Sequence, residues 1–581
     1  MRIKHFFGLA VIAAMTASCS SNNELVNGGN GSGENESGVG YASFSINLPT
    51  TRGTRATDPT FDKGDANEYD VFNATLLVFK EGTTAGEGNY TLAEKVDLGS
   101  MEPWKASSET GVTTQAKITA KLEKVDKNGN FFALVLLNNG STSADAKVNL
   151  PAEGTTFSAW NKANNANYTN FTDTKKGFYM ANAPLYNSTN KSVTTLVAID
   201  KNKIFPTEAQ ASSGEAAADI YVERGLAKVT LTAATKDKKT VDASSSYAGD
   251  EVTINNWALD VTNKKTFPIH NVDGLTTDYA EIWNNATTTT GPSTQRFVDN
   301  SEAIAKRVYW GTDPNYKETN LSAATEESKN ARIENFNYVK KGDLTADPKD
   351  PQYCLENTFN LANMVQGQTT RVVFKGTYTP KSITPDENGT FYKIGKNVAL
   401  WNSADLEKHI AAAVTKVVAD ASAAGASTTI TLKGSDNDLT TAGNHMLKAS
   451  NITVTKATGD VVTLQPEDVT AINDKLGLSE GYGISTYEKG ESYYIARIKH
   501  FGDALTPWNL GAYGNDNLAY LGRYGMLRNN WYELDVQSVS GPGYPDVPDV
   551  KPSTPDDEDD QYIKVSVKIL DWAKRSQRVD L

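Results

Sequence analysis

The sequence predicts an all-β protein, and three observations carry that expectation. Short alternating or β-branched segments recur along all 581 residues, and what separates them is rich in Gly, Asn and Asp. Apolar residues make up 39% and charged ones only 22%, with Thr, Asn, Ser, Gly, Val and Tyr crowding the text, as in exported proteins built of strands and long loops. The chain is also far longer than one hydrophobic core requires, so two or more domains are expected.

A net charge of −13 repels phosphate backbones, which sets nucleic acid aside as a partner. Cys19 and Cys354 are the only cysteines, so no disulfide framework is available and stability has to come from packing.

The elements follow in chain order. Arg2, Lys4 and His5 precede the apolar run Phe6 to Ala14, which is too short to span a bilayer and reads as an export signal. Met15-Thr16-Ala17-Ser18-Cys19 resembles a bacterial lipobox, in which residues 1–18 are removed and the Cys19 thiol takes the lipid. The stretch from Ser20 to Gly40 is polar and Gly-rich and reads as a flexible tether. From Tyr41 to Leu48 the sequence alternates. Ala42, Phe44, Ile46 and Leu48 fall on one face and Ser43, Ser45 and Asn47 on the other, which predicts a half-buried strand. Pro49 to Ala56 then holds Arg52 and Arg55, the only arginines between Arg2 and Arg224, a defined target for an arginine-specific protease.

Further strands are predicted at Ala74 to Phe79, Phe131 to Leu137, Ile220 to Thr232, Thr253 to Val261, Arg371 to Tyr378 and Tyr493 to Ile498. The polar stretch Lys236 to Asp250 marks a candidate domain boundary. One helix interrupts the pattern, Ala404 to Ala421, with Leu406, Ile410, Ala413, Val414 and Val417 on one face, and it is expected to cap a sheet. Gly541 to Gln561 is rich in Pro, Asp and Gly and predicts an extended acidic linker. Beyond it Ile563, Val565, Val567 and Ile569 alternate with Lys564, Ser566 and Lys568, a face matching that of the first strand.

Catalytic chemistry is scarce. The five histidines are dispersed, and no paired cysteines, HExxH or Gly-x-Ser-x-Gly occur, so no enzyme, metal or cofactor is expected. Cys354 reads as a buried thiol that behaves like an apolar group, His500 as a packed ring, and Asp556 to Asp560 as a solvated run.

Five segments carry a family resemblance. They are Val222 to Val229, Trp257 to Asn263, Tyr309 through Tyr316, Leu355 to Thr358 and Arg523 to Tyr532. In their order along the chain they resemble type V fimbrillins, the fimbrial subunits of Bacteroides-group bacteria, and most closely the shaft subunit of the short, minor fimbriae. The resemblance implies two transthyretin-like β-sandwich domains with long loops and exchangeable terminal strands; the helix 404–421 matches nothing in that pattern. It implies export as an outer-membrane lipoprotein and removal of the leading strand by an arginine-specific protease. The cut is expected at Arg55–Ala56, with Arg52–Gly53 as second choice. It also implies polymerisation through a C-terminal donor strand, with copies of the chain and accessory tip and anchor fimbrillins as partners, in a surface fimbrium that supports adhesion and biofilm formation. The expected division is 1–18 signal, 19–55 propeptide, 56–235 and 236–540 sandwich domains, and 541–581 linker and donor strand. The alternatives are a tip or anchor fimbrillin, or a monomeric surface lipoprotein that binds glycans on some of its 9 Trp and 25 Tyr.

Overall fold

The computed structural model describes residues 39–49, 68–101, 105–106, 112–126, 128–140, 142, 144–163, 168–187, 189, 192–275, 298, 305–316, 318, 321–501, 506, 520–556 and 563–571. Strands dominate it, so the protein is all-β as expected. The first part comprises β1 (Gly40–Pro49), β2 (Ala74–Lys80), β3 (Thr91–Gly99), β4 (Val112–Leu122), β5 (Phe131–Leu137), β6 (Met180–Asn182) and β7 (Ala218–Arg224). They form a nine-stranded sheet in the order β3-β2-β5-β6-β7-β1-β4, completed by the short strands Lys105–Ala106 and Val197–Ala198.

Strand β7 changes partner midway. Residues from Ala218 to Tyr221 run parallel to β1, whereas Val222 to Arg224 pair antiparallel with β6. The sheet thereby closes around a core that includes Phe44, Ile46, Val78, Leu122, Val135 and Ile220. The short helix α1 (Glu208–Ser213), capped by the Thr207 side chain, lies over the other side of β1.

The predicted strand Ile220 to Thr232 is two strands in different sheets. After Gly225 the chain continues as β8 (Leu226–Leu231), which pairs with elements of the second part. A Cβ at Gly225 would lie 2.7 Å from the Phe171 ring and 2.8 Å from the Tyr179 ring, so only glycine fits where the chain passes between sheets. The change of sheet therefore precedes the polar stretch 236–250 and is marked by a packing constraint, not by composition.

The second part contains β9 (Glu251–Asp260), β10 (Gln352–Leu355), β11 (Arg371–Thr379), β12 (Glu491–Arg497), β13 (Asn530–Val539) and β14 (Ile563–Asp571). One four-stranded sheet has the order β10-β8-β13-β14, and another runs Lys239–Thr240, β9, β11, β12. Val229 and Leu534 from the first sheet share one core with Trp257, Phe374 and Tyr494 from the second, which is a β-sandwich.

Between the neighbouring strands β11 and β12 the chain departs into an inserted module. It contains α2 (Ser403–Val417), α3 (Pro466–Lys475) and several short strands. Asn402 caps α2 by accepting the Asp405 amide, and the stripe Leu406, Ile410, Ala413 and Val414 is buried as its spacing predicts. The stripe packs on the short strands of its own module, such as Ile430, Val454 and Ile394, and not on a sandwich sheet. It lies in a separate core made of residues between Tyr392 and Ile484, joined by Ile472 of α3.

Candidate functional site: a strand groove and a clamped C-terminal segment

The leading strand occupies an interior position in its sheet. β1 pairs antiparallel with β4 (Ala42 opposite Ala120, Phe44 opposite Ile118) and parallel with β7 (Phe44 opposite Ala218, Ile46 opposite Ile220). Ala42, Phe44 and Ile46 are completely buried and Leu48 nearly so. The opposite face is not exposed, contrary to the half-buried expectation: Ser43, Ser45 and Asn47 are buried too. Ser43 Oγ donates to the Ala211 carbonyl of α1, and Gln115 Nε2 donates to Ser45 Oγ at 3.1 Å. Lys117 Nζ closes α1 over the strand by donating to the Ser212 carbonyl at 2.9 Å. Small polar side chains suit a second buried face here because the covering helix takes the Ser43 hydroxyl, β4 supplies Gln115 to Ser45, and the Asn47 amide donates to Ser45 Oγ and the Ile220 carbonyl. Removing β1 would strip hydrogen-bond partners from two strands at once and empty the pockets of Phe44, Ile46 and Leu48.

The chain past this strand is firmly attached to the body. Glu68 is fully buried, its carboxylate 2.6 Å from Lys228 Nζ and accepting from Tyr353 OH at 2.7 Å. Arg224 Nε donates to the Glu68 carbonyl at 2.9 Å. Cys19, Arg52, Gly53, Arg55 and Ala56 lie outside the described residues.

At the other end, β14 pairs antiparallel with β13 from Asn530 opposite Asp571 to Val539 opposite Ile563, and it is the outermost strand of its sheet. The side chains of Ile563, Val565, Val567 and Ile569 lie outside the described residues. The terminal strands thus differ in their surroundings, β1 with two neighbours and β14 with one.

The segment between β13 and β14 is not the free linker its composition suggests. Tyr544 and Tyr493 exchange backbone hydrogen bonds at 2.8 Å, and Arg371 Nη2 donates to the Pro548 carbonyl at 2.6 Å. Asp556 is 2% exposed, accepts from Thr369 Oγ1 at 2.6 Å and lies 3.4 Å from Arg497 Nε. A buried arginine on the domain outweighs the general repulsion expected between an acidic segment and an acidic body, because a close pair in a low dielectric is stronger than a screened distant field.

A second constellation was not legible in the sequence: Glu223, Asp313, Glu356 and Arg528 fall in the segments that carry the resemblance, whereas His270 and Arg307 lie outside them. Glu223 is the penultimate residue of β7, His270 follows β9, Glu356 follows β10 and Arg528 precedes β13. Their side chains meet where the two parts of the chain join. His270 Nδ1 lies 2.8 Å from Glu223 Oε1, and Arg528 Nε donates to Glu356 Oε2 at 3.2 Å. Arg307 Nη2 lies 3.5 Å from Glu223 Oε2. Burial opposes ionisation of Glu223, but His270, Arg307 and Arg528 outweigh it and hold the carboxyl below its usual range. Asp313 beside them is pushed up to about 7 by burial, even though the Thr358 and Asn315 amides donate to it. Glu223, His270, Glu356, Arg307 and Arg528 each meet an oppositely charged or hydrogen-bonding group from another segment, so the cluster acts as a rivet between the two parts.

Cys354 is buried in the sandwich core, which pushes its thiol up to about 12 and makes it unreactive. His500 packs against Phe501, and its Nδ1 lies 2.7 Å from Tyr532 OH. Among the described residues, no cluster of His, Cys, Asp and Glu could hold a metal ion, and no helix is long and apolar enough to cross a membrane.

Fold and site together define an all-β protein of several sheets with a leading strand buried between two others and a last strand on a sheet edge. Residues 485–578 match the family described as "Major fimbrial subunit protein type IV, Fimbrillin, C-terminal". The matched residues take in β12, β13, the docked segment and β14. That description names a major subunit of type IV, whereas the resemblance read from the sequence was to type V and a minor shaft. No curated protein matches the chain. Two solved structures from Parabacteroides distasonis are similar at 12% identity. One is described as a cell adhesion protein (TM-score 0.34, covering 92% of this chain and 98% of that one). The other is described as a fimbrial assembly protein (TM-score 0.19, covering 39% of this chain and 65% of that one). Both TM-scores lie below 0.5, too low for either likeness to carry an argument.

Proposed function

We propose that this chain is the shaft subunit of a surface fimbrium. It is exported as a lipoprotein on Cys19, cut after Arg55 or Arg52, and polymerised by insertion of residues 563–571 of one copy into the groove vacated by β1 of the next. The fimbrillin match over residues 485–578 is the observation that carries the reading. The setting of β1 supports it mechanically. A cut at either arginine would leave β1 joined to the body only by its ladders and side-chain packing, while Glu68 keeps the downstream chain in place. Phe44, Ile46 and Leu48 contribute roughly 5 to 9 kcal/mol of apolar burial, so the groove rewards whichever strand fills it. An incoming strand could make two ladders there in place of the one that β14 makes on its own sheet edge. Accessory tip and anchor subunits, the protease and the outer membrane are the further partners of this scheme.

A monomeric glycan binder would need exposed aromatic platforms. Among the described residues the exposed aromatic side chains are Phe72 and Tyr482, and Lys396 Nζ lies 4.2 Å from the Tyr482 ring centroid. Trp160, Trp257 and Trp310 are core.

The test is negative-stain microscopy of the purified precursor before and after treatment with an arginine-specific protease, with N-terminal sequencing of the assembled material. Filaments only after cutting, with subunits starting at Ala56 or Gly53, are the expected result. Monomers after complete cutting, or filaments whose subunits start at Cys19, contradict it.

A further inference from the structure

We propose that residues 541–556 stay bound to their own C-terminal domain in the polymer, so that Asp556 fixes the point from which the last strand leaves its subunit. This rests on the strand-exchange reading above and goes beyond it by assigning which part of the C-terminal region moves.

The segment is seated along its whole length. Its first turn is held by Tyr494 OH on the Gly541 carbonyl (3.0 Å) and Tyr487 OH on the Gly543 carbonyl (2.9 Å). Farther along, the Gln366 amide donates to the Thr554 carbonyl at 2.9 Å. Gly367 approaches Pro552 so closely that a Cβ would lie 2.7 Å from its Cα, which is the contact of two backbones fitted together. Asp556 closes the series on Thr369 and Arg497, residues that are 1% and 7% exposed. Lifting the segment would leave the Arg497 guanidinium without its buried carboxylate and Arg371 without the Pro548 carbonyl, costs that breaking a buried pair makes large. Detaching β14 breaks a single ladder at a sheet edge. The easier separation therefore lies beyond Asp556.

A geometric consequence follows. Residues 557–562 span at most about 20 Å when fully extended, whereas a wholly free 541–561 would reach on the order of 70 Å. The receiving groove must then open close to Asp556 of the donor, and the clamp sets the spacing of successive subunits.

Two disulfide locks in purified full-length precursor carrying Cys19→Ser and Cys354→Ser test this. The first, Gln366→Cys with Thr554→Cys, fastens the clamp. The second, Glu533→Cys with Lys568→Cys, fastens β14 to β13 at facing register positions. After oxidation and protease cutting, the clamp lock is expected to form filaments with the wild-type repeat, and the strand lock to form none until reduced. Loss of filaments with both locks, each restored by reduction, would overturn the clamp while leaving strand exchange standing. Filaments from an oxidised strand lock would overturn strand exchange, and the clamp's role in it as well.

Discussion

Glu223 shows how single side chains tie the two parts of the chain together. Its carboxylate is buried against His270 and Arg307, so Glu223→Gln should lower stability at pH 7 by about 3 kcal/mol, read from the denaturant midpoint. The folded-state pKa lies below the usual 4.5, so this contribution is present above that pH and disappears as pH falls through the lower value. The deficit of the variant should shrink accordingly in acid; a deficit that grows as pH falls would contradict the assignment. Glu87 behaves in the opposite sense. Burial pushes its carboxyl up to about 7, although the Thr195 and Leu196 amides donate to it. The unfolded chain gives up this proton first as pH rises, so the folded state loses up to roughly 3 kcal/mol between pH 4.5 and 7 through this group. Glu87→Gln should remove that slope from the stability profile, and a slope that survives the substitution would assign it to another group.

At the scale of elements, α2 belongs to the inserted module and not to either sandwich. Leu406→Ala should cost about 2 to 5 kcal/mol, with hydrogen exchange accelerated between Tyr392 and Ile484 and unchanged in β9 and β13. The helix itself was legible, because a 3.6-residue apolar stripe is a local signal. Its packing partner was not, since the short strands around it carry little alternation. The period-two face of β1 was legible for the same local reason, and β5 and β11 were legible as short runs rich in apolar and β-branched residues. What escaped was tertiary. Nothing in Ser43-Phe44-Ser45 says that a helix covers its hydroxyls, and nothing in a run of Pro and Asp says that Arg497 waits for Asp556. The break at Gly225 could have been suspected from a glycine within a β-branched run. Of the Glu223, His270, Glu356 and Arg528 cluster only Glu223, Glu356 and Arg528 lie in the segments singled out from sequence, and their meeting with His270 was not legible because the contacts span large sequence separations.

For the whole molecule, the account places one cut upstream of a fixed body. Changing Arg52 and Arg55 together to Ala should leave lipidated monomers on the cell, and Cys19→Ala should abolish palmitate labelling of the precursor. Filaments from the double Arg variant, or persistent label without Cys19, would contradict those steps. The central claim is that the last strand of one copy replaces the first strand of another. It is tested most directly by placing cysteines at Val565 and at Ile118, the position opposite Phe44 in β4, with Cys354→Ser, and oxidising assembled filaments. Ladders of covalent oligomers on a denaturing gel are the predicted result. Monomers closed only within one chain, from filaments that are otherwise normal, would contradict it.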